Sequence, residues 1–149
     1  MIVRKGQGKD EEAIAEMHLA LGLEKKNLVL DIEKVRRGVR HLLESPEEGV
    51  YYICEIDEYI VGFIMVFFEW SDWRAGNLYY IDSAYTRPAY RNQHVFSSIF
   101  RQAYSDAQSE NTSIRSILES PEADQIEALK HLGLSESHYT VLEVRFPQT

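Results

Sequence analysis

The chain has 149 residues, 44% of them hydrophobic and 27% charged, with a formal net charge of −8. That length suits one domain with its own core, and the acidic balance argues against general nucleic-acid binding, which rests on phosphate neutralisation by Lys and Arg, while suiting a cationic small substrate. The one cysteine, Cys54, excludes an internal disulfide and a cysteine cluster for zinc, and no apolar run approaches the roughly 18 residues of a membrane span.

These bounds lead us to expect a single cytoplasmic domain over residues 1–149, with no membrane or metal partner. Cys54, inside YYICEI, reads as a small buried hydrophobe.

Ile2 to Arg4 suits a first strand, and Asp10 is placed to cap a helix whose apolar residues Ala13, Ile14, Met17, Ala20 and Leu21 recur at helical spacing. A second helical pattern runs from about Asp31 to Leu43 and is ended by Ser45-Pro46. Val50 to Ile56 and Tyr59 to Glu69 are rich in branched and aromatic residues around an Asp57-Glu58 turn, which predicts a hairpin. Ser71 to Gly76 then connects to a third strand, Asn77 to Thr86, completing an antiparallel meander. Simple alternation puts Tyr79, Ile81, Ser83 and Tyr85 on one face, and Leu78, Tyr80, Asp82 and Ala84 on the other.

Pro88 closes that strand, and Phe96, Ile99, Phe100, Ala103, Tyr104 and Ala107 predict a helix over Val95 to Ala107. A short strand is expected over Ser113 to Leu118, then a helix opened by Pro121 and stopped by Gly133. His138 to Phe146 alternates as a half-buried last strand would. The order is that of an α/β fold of the α+β type, a central mixed antiparallel and parallel sheet flanked by about four helices.

The most chemical stretch runs from Glu69 to Phe96, where a strand hands over to a helix N-terminus through a Pro turn and Arg91. Unpaired N–H groups and the positive end of a helix dipole converge there, which is the geometry of a phosphate site. Within it, YIDSAYTRPAYRNQHVF is similar to the acetyl-CoA motif of the GNAT superfamily of N-acetyltransferases. DEYIVGF resembles the hairpin and Gly that open the family's third strand, and ALKHLGLSESHY resembles its penultimate helix and last strand. The chain departs from the family pattern at His94 and Phe96, where the loop usually carries small residues, and at Leu129, where relatives usually carry Tyr. The segment FFEWSDWRAGNLYYIDSAYTRPAYR further resembles the spermidine/spermine (diamine) branch, with Ser71, Trp73 and Asp82 at matching positions.

The resemblance implies acetyl-CoA as cosubstrate, with direct acetyl transfer to a small amine in a ternary complex. It implies an anion cradle from Arg91, Asn92, Gln93, His94, Val95 and Phe96, and carbonyl polarisation by the backbone at Ala84, Tyr85 and Thr86. Asp82 or Glu69 would serve as base, through a water, and Trp70, Trp73 and Tyr80 as aromatic walls for an ammonium group. Tyr139 or His131 would stand in for the missing Tyr, although a thiolate leaving group needs little help near neutral pH. If position 94 is left-handed, a Cβ there costs roughly 1 to 2 kcal/mol, and His is among the residues that tolerate it. A homodimer is the family expectation. The rival is a catalytically silent GNAT-fold module that has weakened or lost acetyl-CoA binding.

Overall fold

The computed structural model describes residues 1–118 and 123–147, which fall into two compact units, Met1–Ile117 and Leu118–Thr149. In the first unit β1 (Ile2–Lys5), α1 (Glu11–Lys26), α2 (Ile32–Leu43), β2 (Gly49–Ile56), β3 (Tyr59–Ser71), β4 (Gly76–Thr86), α3 (Val95–Ser109) and β5 (Ile114–Ser116) follow in chain order. The strands lie in that same order across one sheet, antiparallel from β1 through β4 and parallel between β4 and β5. Short turns join β2 to β3 and β3 to β4, α1 and α2 intervene between β1 and β2, and α3 supplies the crossover that a parallel pair requires. With α4 (Ala123–His131) of the second unit, the described residues give a five-stranded mixed sheet and four α-helices, as the sequence order implies.

Local chemistry explains where the elements begin. Asp31 caps α2 by accepting a 3.0 Å hydrogen bond from the Glu33 N–H. Asp10 occupies the N-cap of α1 but turns its carboxylate away from that helix. It accepts 2.8 and 2.9 Å bonds from the Arg4 guanidinium and a 2.7 Å bond from the Gln7 N–H, which together satisfy a carboxylate only 2% exposed. Asp57 and Glu58 both take positive φ, the conformation of the tight turn that matches the twist of a two-residue hairpin.

Each face of the sheet has its own helical cover. Ile14, Ala15 and Met17 of α1 and Val39 and Leu42 of α2 pack with Tyr51, Ile53, Phe63 and Tyr85. On the opposite face Tyr52 donates to Asp106 of α3 and Tyr79 to Glu110 just past its end, at 2.7 and 2.9 Å. Buried Val95, Ile99, Phe100, Ala103 and Ala107 give α3 its apolar side.

The expected alternation along β4 does not hold. Val66 pairs with Ile81 while the adjacent Met65 pairs with Ser83, so Asp82 is an extra residue without a partner across the ladder. This β-bulge shifts the alternation by one position. Tyr79 and Ile81 therefore serve the α3 face, whereas Ser83 and Tyr85 serve the α1–α2 face.

In the second unit, the N–H of Leu134 bonds to Leu129 O at 3.1 Å and that of Gly133 to Lys130 O at 3.0 Å, with Gly133 at φ +102°. This pair of bonds ends α4 at the expected glycine; Pro121 lies outside the described residues. The expected last strand is not formed, since residues 138–147 are neither helix nor strand, and Leu142, Val144 and Phe146 are 90%, 72% and 76% exposed. Alternation makes a segment able to lie half-buried, but a strand exists only through ladder bonds to a neighbour, and among the described residues these have none.

Candidate active site

β4 is the element around which the site is built. Its pairing with β5 covers Tyr79, Tyr80 and Ile81 opposite Ile114, Arg115 and Ser116, and stops there. From Asp82 onward, among the described residues, the edge of β4 away from β3 has no strand beside it. The bulge at Asp82 sits where that pairing ends, so the strand changes facing and loses its neighbour at the same point.

Beyond Thr86 the chain makes one 3-10 turn over Pro88–Tyr90 before α3. His94 is the N-cap of α3 and adopts the left-handed conformation, φ 59° and ψ 28°, so the chain accepts the Cβ cost anticipated for this position. Its carbonyl accepts from the Ser98 N–H at 3.0 Å and the Ser97 hydroxyl at 3.1 Å. The N–H groups of Val95, Phe96 and Ser97 precede the first possible intrahelical bond and find no backbone acceptor among the described residues. Val95 is buried, and the Phe96 ring lies along its own helix against Phe100, centroids 6.2 Å apart. This helix end can hold an anion through backbone donors and its dipole, whatever the side chains at 94 and 96.

Close packing fixes this helix against the sheet. A Cβ at Gly62 of β3 would lie 2.8 Å from Val95 Cγ1 and 2.9 Å from Tyr85 O, so glycine lets α3 approach β3 and β4 at the loop.

A groove of about 640 Å³ opens on the α1–α2 face of the sheet. Gly38, His41 and Leu42 of α2 form one wall, and Met65, Phe67, Phe68 and Trp70 of β3 line the rest, Met65 and Phe67 from ladder positions on the α1–α2 face. Asn77 and Asp82 of β4 and the pair Glu47–Glu48 before β2 supply polar groups. Three carboxylates in an aromatic lining suit an organic cation. The His41 Nε2 lies 2.6 Å from Glu48 Oε2, so part of the acidic character is already engaged. Among the described residues, no group of three or more His, Cys, Asp or Glu side chains is arranged to hold a metal.

The sequence-derived candidates divide over this geometry. Asp82 and Trp70 line the groove. Glu69 lies outside its lining and pairs with Arg115 at 3.2 Å. Tyr80 does not line it either, but stacks on the groove residue Phe67 at 4.4 Å, its phenol pushed up by burial and then by the Asp82 charge. Trp73 stands fully exposed in the β3–β4 turn. Ala84, Tyr85 and Thr86 lie on the stretch of β4 that β5 leaves, and Arg91, Asn92, Gln93, His94, Val95 and Phe96 form the turn and opening of α3. Tyr139 belongs to the second unit, where it is 63% exposed and stacks on His138.

Reading the sequence alone left out Glu47, Glu48 and His41, which look like solvated charge beside Ser45-Pro46, and Phe67 and Phe68, which read as ordinary strand residues. The alternation of β3 around Met65 is the one signal that could have put Phe67 on the groove face.

The chain matches the profile of the acetyltransferase (GNAT) family over residues 20–133. No curated protein sequence matches. Among solved structures, the chain resembles a possible acetyltransferase from Clostridium difficile 630, with 27% identity, a TM-score of 0.91, and 99% of this chain and 98% of that one covered. It shares its fold with the ribosomal-protein-alanine N-acetyltransferase from Brucella melitensis biovar Abortus 2308, at 11% identity and TM-score 0.79, covering 98% of this chain and all of the other. The fold is also that of the aminoglycoside N-acetyltransferase AAC(6')-Iy in complex with CoA, at 11% identity and TM-score 0.78, covering 97% and 93%. Taken with the five-stranded mixed sheet, the bulged central strand and the open helix end beside it, the match over residues 20–133 shows that this chain belongs to the GNAT family of acetyltransferases.

Proposed function

We propose that the chain is an acetyl-CoA-dependent N-acetyltransferase that transfers the acetyl group directly to a small cationic amine held in the groove beside Asp82. The observation that carries this reading is the bulge. It leaves Asp82 as an extra residue without a partner across the ladder, in the lining of an acidic, aromatic groove and at the point where the other edge of β4 becomes free. The family and the CoA complex of a structural neighbour support acetyl-CoA as cosubstrate.

In this mechanism the N–H groups of Val95 to Ser97 and the Arg91 guanidinium hold the pyrophosphate. Bound acetyl-CoA supplies an activated thioester, whose carbonyl lies along the free edge of β4 from Ala84 to Thr86. Asp82 holds the ammonium form of the acceptor and takes its proton through a water, so that the neutral nitrogen attacks. The C–N bond forms as the C–S bond breaks, and backbone N–H groups of β4 meet the charge that develops on the carbonyl oxygen. The thiolate leaves with little assistance and is reprotonated from solvent.

Thermal-shift titration with acetyl-CoA, paired with CoA release across a panel of small mono- and diamines, tests the reading. Stabilisation that saturates, and release with at least one amine, are expected. Absence of both would overturn it in favour of a silent module.

A further inference from the structure

Arg91 does not stand alone in the turn before α3. Its Nε donates to Thr86 O at 2.9 Å, its Nη2 lies 2.6 Å from Glu24 Oε2, and its guanidinium carbon sits 5.4 Å from the centroid of the Tyr85 ring. The same Glu24 carboxylate accepts the Tyr85 hydroxyl at 2.8 Å through its other oxygen. One side chain from the last turns of α1 thus engages the end of β4 and the loop together. Glu24 is 67 residues from Arg91 in sequence.

We propose that Glu24 is a positioning residue for cosubstrate binding, acting through Arg91. This rests on the function proposed above.

Stability does not account for the arrangement. The ion pair is half open, with side chains 46% and 36% exposed, and pairs of that kind contribute little. Both side chains are long, and holding them in one geometry costs rotamer freedom. What the contacts do fix is the plane of the guanidinium. Thr86 and Glu24 occupy Nε and Nη2, the Tyr85 ring lies against it, and Nη1 has no partner among the described residues. Arg91 lies three residues before His94, so the uncommitted nitrogen belongs to the same short turn as the open N–H groups of α3. A planar fork held in this way binds phosphate at lower ordering cost than a free one. The hydrogen bond from Arg91, and then that from the Tyr85 hydroxyl, hold the Glu24 carboxyl below its usual range, so the clamp stays charged at neutral pH.

The test is steady-state kinetics and CoA binding for Glu24→Ala, Glu24→Gln, Arg91→Ala and the Glu24→Ala/Arg91→Ala pair. Positioning predicts that Glu24→Ala raises the acetyl-CoA KM about fivefold to tenfold with kcat within twofold. Glu24→Gln, which can turn its one carbonyl oxygen to Arg91 and its amide N–H to the Tyr85 oxygen, should restore part of the loss. The double variant should be no worse than Arg91→Ala, because Glu24 acts only through that residue. An unchanged KM in Glu24→Ala with a lowered Tm would overturn the proposal in favour of a structural clamp. A KM that falls in both Glu24 variants would overturn it by making Glu24 a competitor of the phosphate. A wild-type chain that binds CoA yet acetylates no amine would overturn the proposed function alone, and the Kd ratios for CoA would still decide the role of Glu24. A wild-type chain that binds neither CoA nor acetyl-CoA would overturn both.

Discussion

The Nε2 of His18, on α1, lies 2.9 Å from the hydroxyl of Tyr51, on β2, with the Phe63 ring 4.6 Å from the imidazole on the same face. Burial pulls the His18 pKa down to about 4, so the ring is neutral in the folded protein at physiological pH. The Tyr51 phenol is pushed up, by burial first and by the Asp82 charge second.

A pH dependence of stability follows. An unfolded histidine titrates near 6.5, so the unfolded chain binds the extra proton first. The contribution of neutral His18 is fully present above that value and is lost as pH falls from about 6.5 towards 4. The slope from this one group approaches about 1.4 kcal/mol per pH unit within the window. Urea denaturation at half-unit pH steps should show it, and His18→Gln should flatten it. A wild-type slope that survives the substitution would remove His18 as its source. Asp10 and Glu24, whose carboxyls are held below their usual range, act at lower pH, losing their contribution as pH falls below about 4.

Asp82→Asn keeps the size of the side chain and removes its charge. As base and cation anchor, Asp82 predicts a fall in kcat/KM of about 10²- to 10⁴-fold, with Tm changed little. Glu69→Gln, at a residue paired with Arg115 outside the groove, should change kcat/KM less than threefold. Equal losses in the two variants would contradict the assignment.

At position 94 the backbone sets the expectation. His94→Gly relieves a left-handed residue but loosens the unfolded chain, so stability should be nearly unchanged or slightly raised. His94→Val places a β-branched residue at φ 59° and should cost about 1 to 2 kcal/mol. Chemical denaturation of the pair checks this, and equal stabilities would show that the loop readily takes another conformation.

Gly62→Ala tests the approach of α3 to the sheet. The new methyl would meet Val95 and the Tyr85 carbonyl below 3.0 Å, and the carbonyl cannot rotate away. A loss of about 1–3 kcal/mol is expected. Because the same contact sets the helix end that faces the anion, the acetyl-CoA KM should rise with it.

Much of the fold was legible because turn chemistry marks where strands end. Asp57-Glu58, Ser71 to Gly76 and Pro88 divide the meander, and the observed strands begin and end within two residues of that reading. The β4 bulge was not legible, since it is a property of register between two strands rather than of the composition of either. Asp82 was therefore found by its similarity to a motif, while its neighbours in the groove were missed. Glu47 and Glu48 reach Asp82 only through the stacking of β2, β3 and β4. Glu24 was missed for the same reason, being a helix-surface carboxylate until the fold brings Arg91 to it. The last strand failed differently: its pattern is intact, but pattern alone provides no hydrogen-bonding neighbour.

The extra residue at Asp82 also changes how β4 is counted. Odd positions serve α3 before it and α1 after it, so odd and even exchange meaning midway along the strand. The pairs on either side of it, Ile81 with Val66 and Ser83 with Met65, are already successive rungs of a regular ladder. Removing the residue would straighten the strand and leave Ser83 beside Met65 and Tyr85 on the side of Glu24. The sheet therefore has no need of position 82, and what the extra residue adds to the strand is a side chain.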